Sequence, residues 1–306
     1  MFLIGYASQR AGVCMVRAVR EVMERKRLHR LAGFTLAAGS AMLVMGLAEW
    51  LGARPFETIL GTPADGVAVA GGVIFGFGSL VAGHCAMGTL AALTAGDVPR
   101  IASIAAMFLA ALVLGPEMSQ AVLHLPVRGP LASPLTAHPG WALALGGILV
   151  GTAGTYIHRR IGWKPPRGGW SPLIAMSVVG AASGLLFALD RNWVYTSRIA
   201  QIAQSGMTTA PATLLGLLVL VFGMVSAALT GGAFRLAIGR PRAWARAFAG
   251  GLLMGVGATL VPGGNDAMLF TGVPLLLPNL LIAYAAFTAT LFAALMLRSR
   301  AVSTGA

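Results

Sequence analysis

Long apolar runs alternate with short polar and basic segments along the whole 306-residue chain. The runs cover Leu31–Leu51, Gly66–Gly96, Ile101–Gly115, Trp141–Ile157, Ser171–Leu189, Pro211–Thr230, Phe248–Leu276 and Leu277–Leu297, with a shorter one from Met1 to Val16. A bilayer core is crossed by roughly 20 apolar residues in helical form, so the pattern predicts an all-α polytopic membrane protein of about eight to nine spanning or partly spanning helices. Two runs are too long for one plain span, and each holds a glycine cluster. One reads Gly76-Phe77-Gly78 through Gly83-His84-Cys85-Ala86-Met87, the other Gly255-Val256-Gly257 through Gly263-Gly264-Asn265-Asp266-Ala267-Met268. Glycines there predict helices interrupted inside the membrane, and interrupted helices in matched halves mark transport sites.

Composition changes this picture little: 57% of residues are apolar, 10% are charged and the mean hydropathy is +0.80. The net charge of +13 does change it, because it supplies an orientation. Basic residues fall in short clusters between spans, at Arg17–Arg30, Arg159–Arg167, Arg235–Arg246 and at Arg298 and Arg300. That is the signature of cytoplasmic loops, not of a nucleic-acid surface. It predicts a multi-pass protein of the bacterial inner membrane with a cytoplasmic C-terminus and the lipid bilayer as its surroundings. All four clusters stay on one side only if both glycine-rich segments cross the membrane.

An inverted repeat follows from that topology. Residues 1–115 form a first repeat, residues 116–170 a linking span with loops, and residues 171–306 a second repeat of opposite orientation, the whole being one transporter domain. The run Met1–Val16 corresponds to Ser171–Leu189 and is too short to span alone. The segments Pro116–Pro139 and Asp190–Ala210 are read as outer loops.

The chemistry is expected at the two breaks. Irregular backbone inside a bilayer is tolerated only where protein or a hydrated cavity satisfies it. A second half-helix is expected to begin near Cys85 and Ala86 in the first copy, and near Asn265 and Asp266 in the second, each turning amides and a positive dipole end toward the midplane. The candidate pathway residues are therefore Gly83, His84, Cys85, Gly263, Gly264, Asn265 and Asp266. Cys85 reads either as a neutral thiol donor or as a small buried residue. Asp266 reads either as a dipole-complementing helix residue, with Asn265 as the cap, or as a proton- or cation-binding group. At about 2.5 to 3.5 kcal/mol on insertion scales, a carboxylate at the bilayer centre calls for some such reason. Gln9, Arg10 and Cys14 are placed at the cytoplasmic mouth, Arg10 reading equally as the start of the positive-inside cluster. Trp193 and Tyr195 read equally as interfacial anchors or substrate contacts. The two cysteines lie about seventy residues apart and form no recognisable disulfide or zinc framework. No metal site and no cofactor are expected.

The segments Gln9-Arg10-Ala11-Gly12-Val13-Cys14 with Arg17-Ala18-Val19, Gly83-His84-Cys85-Ala86-Met87-Gly88-Thr89 with Leu93 and Gly96, Gly184 with Trp193-Val194-Tyr195-Thr196, and Gly250-Gly251-Leu252-Leu253-Met254-Gly255 with Pro262-Gly263-Gly264-Asn265-Asp266 resemble the YeeE/YedE sulfur-transport family. The resemblance runs from the first residues to the last span. It implies membrane proteins built from related halves, uptake of thiosulfate into bacteria, embedded cysteines that pass the anion by weak S–H hydrogen bonds, and a cytoplasmic sulfur-carrier protein as receiver. Cys85 matches the central cysteine of the first half. The second half departs, since thiosulfate-transporting relatives commonly place a cysteine after the paired glycines and this chain has Asn265-Asp266. A relay of several cysteines is therefore not expected. The function that follows is uptake of thiosulfate or a related small sulfur anion. The alternatives are a membrane sulfurtransferase-like protein acting through Cys85, or a transporter for a different small solute.

Overall fold

The computed structural model describes residues 1–57, 61–123, 131–161, 170–189, 194–205, 211–261 and 263–304. His124, Lys164, Arg167, Asp190, Arg191, Trp193 and Pro262 lie outside the described residues, as do the side chains of Arg300 and its neighbours. Helices carry almost all of the remainder: α1 (Phe2–Ala11), α2 (Met15–Arg25), α3 (His29–Trp50), α4 (Gly66–Ala82), α5 (Ala86–Thr94), α6 (Arg100–Leu123) and α7 (Pro139–Ile161). They continue as α8 (Pro172–Leu189), α9 (Tyr195–Ser205), α10 (Pro211–Thr230), α11 (Pro241–Leu260), α12 (Asn265–Ala267) and α13 (Pro278–Thr304).

Local sequence explains where the long helices start. Pro139, Pro172, Pro211, Pro241 and Pro278 each open a helix, where the missing N–H is an orphan in any case and φ is already helical. Asp65 accepts from the Ala68 amide at 2.8 Å and caps α4. Among the described residues, seven helical stretches are long and apolar enough to cross a membrane, α4 and α5 together forming one of them, and Arg100–Gly115 of α6 is a shorter apolar helix. Large side chains left exposed on α6, α7 and α10, such as Val113, Ile148, Leu215, Leu218 and Phe222, give these helices an apolar outer face suited to lipid.

The packing runs in matched pairs: α1 lies against α10 and α3 against α8, while α6 lies against α11 and α13 against α4. At the centre α4 crosses α11 with almost no side chain between the backbones. A Cβ built on Gly78 would stand 2.6 Å from the Met254 amide nitrogen, and one on Gly250 would stand 2.4 Å from that of Ala82. Small residues permit such an approach where no hydrophobic force between helices is available. Buried rings fill the rest, with Phe75 and Phe287 meeting edge to face at 5.3 Å.

Several expectations are corrected. The N-terminal run is two helices, not one, split at Gly12, whose backbone is left-handed (φ +66°). The eleventh helix begins at Pro241, not Phe248, and winds through Arg242 and Arg246, because backbone hydrogen bonds define a helix and hydropathy does not. Similarly, α6 continues to Leu123 through the first part of the expected outer loop. The second half-helix after the Gly263 break is a single short α-helical turn that passes into a π-helical stretch at Met268–Gly272, so it offers little of the expected dipole.

Candidate functional site

Two interruptions of the long helices face each other. In the first, α4 ends at Gly83, where φ is +80° and a side chain would be strained, and α5 restarts with Cys85 as its N-cap. Arg100, held by Asp97 at 2.7 Å, donates to the Ala82 carbonyl at 2.6 Å, which satisfies an acceptor left orphaned by the break. In the second interruption α11 ends at Leu260, Gly263 takes φ +125°, and the chain restarts at Asn265 with Gly264 as N-cap.

Two further helix starts enter the same region. Cys14 is the N-cap of α2, and its thiol interacts with that of Cys85. Both cysteines are buried, Cys14 at 3% exposure and Cys85 at 0%. The Met15 amide at the start of α2 points at Cys85 Sγ from 3.4 Å, and Asn265 Nδ2 points at the same sulfur from 3.5 Å. Tyr284 from α13 reaches Met15 Sδ at 3.9 Å. Cys14 is thus buried and forms with Cys85 a two-thiol pair that the sequence reading did not anticipate.

On the other side α9 starts at Tyr195. The Thr196 amide donates to Asp266 Oδ2 at 2.9 Å, the Thr196 hydroxyl binds Asp266 Oδ1, and the Gly264 amide donates to that hydroxyl at 2.7 Å. Asp266 is 1% exposed. It therefore caps α9 across the break, and its own short helix takes no side-chain cap. Tyr195, at 6% exposure, is buried beside this network and is not an interfacial anchor.

The two arrangements correspond residue by residue. Cys85-Ala86-Met87 matches Asp266-Ala267-Met268, and Val13-Cys14-Met15 matches Val194-Tyr195-Thr196. Cys85 accepts the Met15 amide as Asp266 accepts the Thr196 amide. Sequence reasoning gave no site role to Met15, Thr196 or Arg100, although Thr196 stands in a segment that carries the family resemblance. The repeated Ala-Met and the repeated valine are the signals that could have found the first two.

His84, next to Cys85, approaches Arg17 with Nε2 and Nη2 3.5 Å apart, so it faces the basic end. There a cavity of about 450 Å³ is lined by Arg10, Arg17, Arg20, Arg25, Arg30 and Glu21, among others. Arg10 is fixed on Tyr6 at 3.0 Å and Thr230 at 2.8 Å, and Arg30 spans from Glu21 to the Gly12 carbonyl. Gln9 takes a hydrogen bond from Thr94 at 3.4 Å. The cavity carries an excess of positive charge, which concentrates small anions. Among the described residues, no group of three or more His, Cys, Asp or Glu is gathered in a way that could hold a metal.

A family model described as sulphur transport matches residues 10–293. The chain is also similar to the thiosulfate transporter TsuA of Spirochaeta thermophila, at 25% identity over 319 residues, covering 89% of each chain.

Proposed function

The chain belongs to the sulphur-transport family, and from that premise we propose that it takes up thiosulfate, or a closely related small sulfur anion, through the meeting point of the two breaks. One observation carries this reading: the N-termini of α2 and α5 converge on the Cys14 and Cys85 thiols, with the Asn265 side-chain amide on Cys85 Sγ. A thiol is a weak neutral donor that can release an anion as readily as it holds it. Amides at helix N-termini add positive potential without a mobile charge. A fixed lysine or arginine at the constriction would bind the anion more tightly and slow its exit.

In this reading the halves 1–115 and 171–306 are inverted repeats, which the matched helix pairs support. The protein is a multi-pass membrane transporter, and we place it in the bacterial inner membrane with the arginine-lined cavity and the C-terminus in the cytoplasm. The anion passes Cys85 and Cys14, leaves past His84 and Arg17, and enters that cavity, where a soluble sulfur-carrier protein would receive it. No covalent step is required at Cys85, which separates this reading from a sulfurtransferase.

The test is uptake of radiolabelled thiosulfate into proteoliposomes. Wild-type protein should accumulate label, and Cys85→Ala should lose most of that rate while keeping a folded profile in detergent. Equal rates in the two proteins would remove Cys85 from the pathway. Wild-type vesicles that take up no label would redirect the search to other small solutes.

A further inference from the structure

Asp266 is a buried carboxylate for which a simple anion path has no use. Among the described residues no Lys, Arg or His forms an ion pair with it. Its companions are neutral: the Thr196 amide and hydroxyl. It also lines a small chamber of about 10 Å³ whose other walls include Ile4 of α1, Leu90 of α5, Met224 of α10 and Tyr195 of α9, room for about one water molecule. The Tyr195 hydroxyl is buried and has no hydrogen-bond partner among the described residues, so a donor and acceptor stands unused beside the carboxylate.

The position of Asp266 makes its charge matter. Asn265, the preceding residue, donates to Cys85 Sγ, so the residue that touches the thiol is the chain neighbour of the carboxylate. A negative group brought to the thiols would be repelled by the carboxylate in a site of low dielectric. Other titratable groups do little to offset this. Tyr195 comes from α9, and Cys85 and His84 come from the start of α5, His84 being turned toward Arg17. The side chains that α1 and α10 bring to the chamber are apolar, and Arg198 of α9 is engaged with Thr213 and Gln201.

We propose that Asp266, with Tyr195 beside it, is a proton-binding site coupled to anion passage. This rests on the transport reading above. As the dianion enters beside Cys85 and Asn265, the Asp266 carboxylate takes one proton from water on the entry side, forming an O–H bond. As the anion leaves toward the basic cavity, that proton is released to water on the same exit side. Each transfer exchanges one O–H bond for another: a hydronium O–H breaks as the carboxyl O–H forms at entry, and the carboxyl O–H breaks as hydronium re-forms at the exit. Carrying a proton with each dianion lowers the charge moved against an inside-negative potential, which is why a carboxylate is retained here at the cost of its burial.

The experiment uses the whole protein in vesicles with the membrane potential clamped by potassium and valinomycin, an entrapped pH dye, and labelled thiosulfate added outside. Wild type should acidify the lumen by a proton for each anion taken up, and Asp266→Glu should keep that ratio. Asp266→Asn should bring dye response to the background of empty vesicles. Thiosulfate uptake by wild type with no proton movement would overturn the coupling and leave transport standing, whereas no uptake of either species would remove both. Proton movement in a folded Asp266→Asn would also overturn it. Should Asp266→Asn fail to fold, Thr196→Val decides, because it keeps the carboxylate and removes one of its partners. The pH profile of uptake should then shift toward alkaline values, and an unchanged profile counts against the proposal.

Discussion

The two breaks have the same backbone plan and opposite chemistry. In the first, a sulfur atom receives the leading amide of a neighbouring helix, with Cys85 accepting from Met15. In the second, a carboxylate does so, with Asp266 accepting from both the amide and the hydroxyl of Thr196. A thiol is a poor acceptor and holds the start of α2 loosely, while a charged carboxylate holds the start of α9 with bonds roughly twice as strong as neutral ones. The same position in the fold is thus a soft contact on one side and a firm clamp on the other. In the proposed path, oxygen in place of sulfur in the second half removes a weak donor and adds a titratable charge beside it.

The largest effect should come from the seam on which both breaks depend. In Gly250→Leu the first added carbon already meets the Ala82 backbone at 2.4 Å. Forced apart, α4 and α11 should lose about 3 kcal/mol or more, read as loss of a monodisperse peak in detergent. Next comes the clamp. Asp266→Ala leaves the Thr196 amide and hydroxyl buried without their partner, and should cost about 2 to 3 kcal/mol, whereas Cys85→Ala should cost less than about 1 kcal/mol. Thermal unfolding of the two variants side by side tests the contrast, and equal shifts would dissolve it.

Uptake should reverse that ranking for the thiol. Losing one weak donor contact worth about 1 kcal/mol in the crossing state lowers the rate by roughly five- to tenfold, so Cys85→Ala should damage uptake far more than stability. The smallest effect is expected at the basic cavity. Arg10→Gln removes one of several positive charges and its bonds to Tyr6 and Thr230, and should reduce uptake about twofold in a way that fades as salt screens the cavity.

Much of this could be read from the chain. The run Pro211–Thr230 coincides with α10, and Ser171–Leu189 and Leu31–Leu51 fall within two residues of α8 and α3. The glycine clusters marked both long breaks, since Gly83 and Gly263 adopt backbone angles that disfavour a side chain. The split between α1 and α2 was not legible, because a single glycine in a short apolar stretch carries no statistical weight. Nor was the start of α11, because Arg242 and Arg246 look like loop residues until the helix around them is seen.

Sequence alone determined that the chain is an apolar helical membrane protein with two interrupted spans and an asymmetric distribution of charge. These are properties of hydropathy, glycine and arginine, which act over a few residues and need no partner to be recognised. Tertiary structure decided the rest. Cys14 and Cys85 are 71 residues apart in the chain, and Thr196 and Asp266 are 70 apart, so nothing local distinguishes these pairs from isolated buried residues. They meet because the glycine seam lets α4 and α11 touch backbone to backbone and brings the restarted helices onto one point. An unpaired amide buried there must find an acceptor. The fold supplied a sulfur on one side and a carboxylate on the other, and that pairing sets what each break can do.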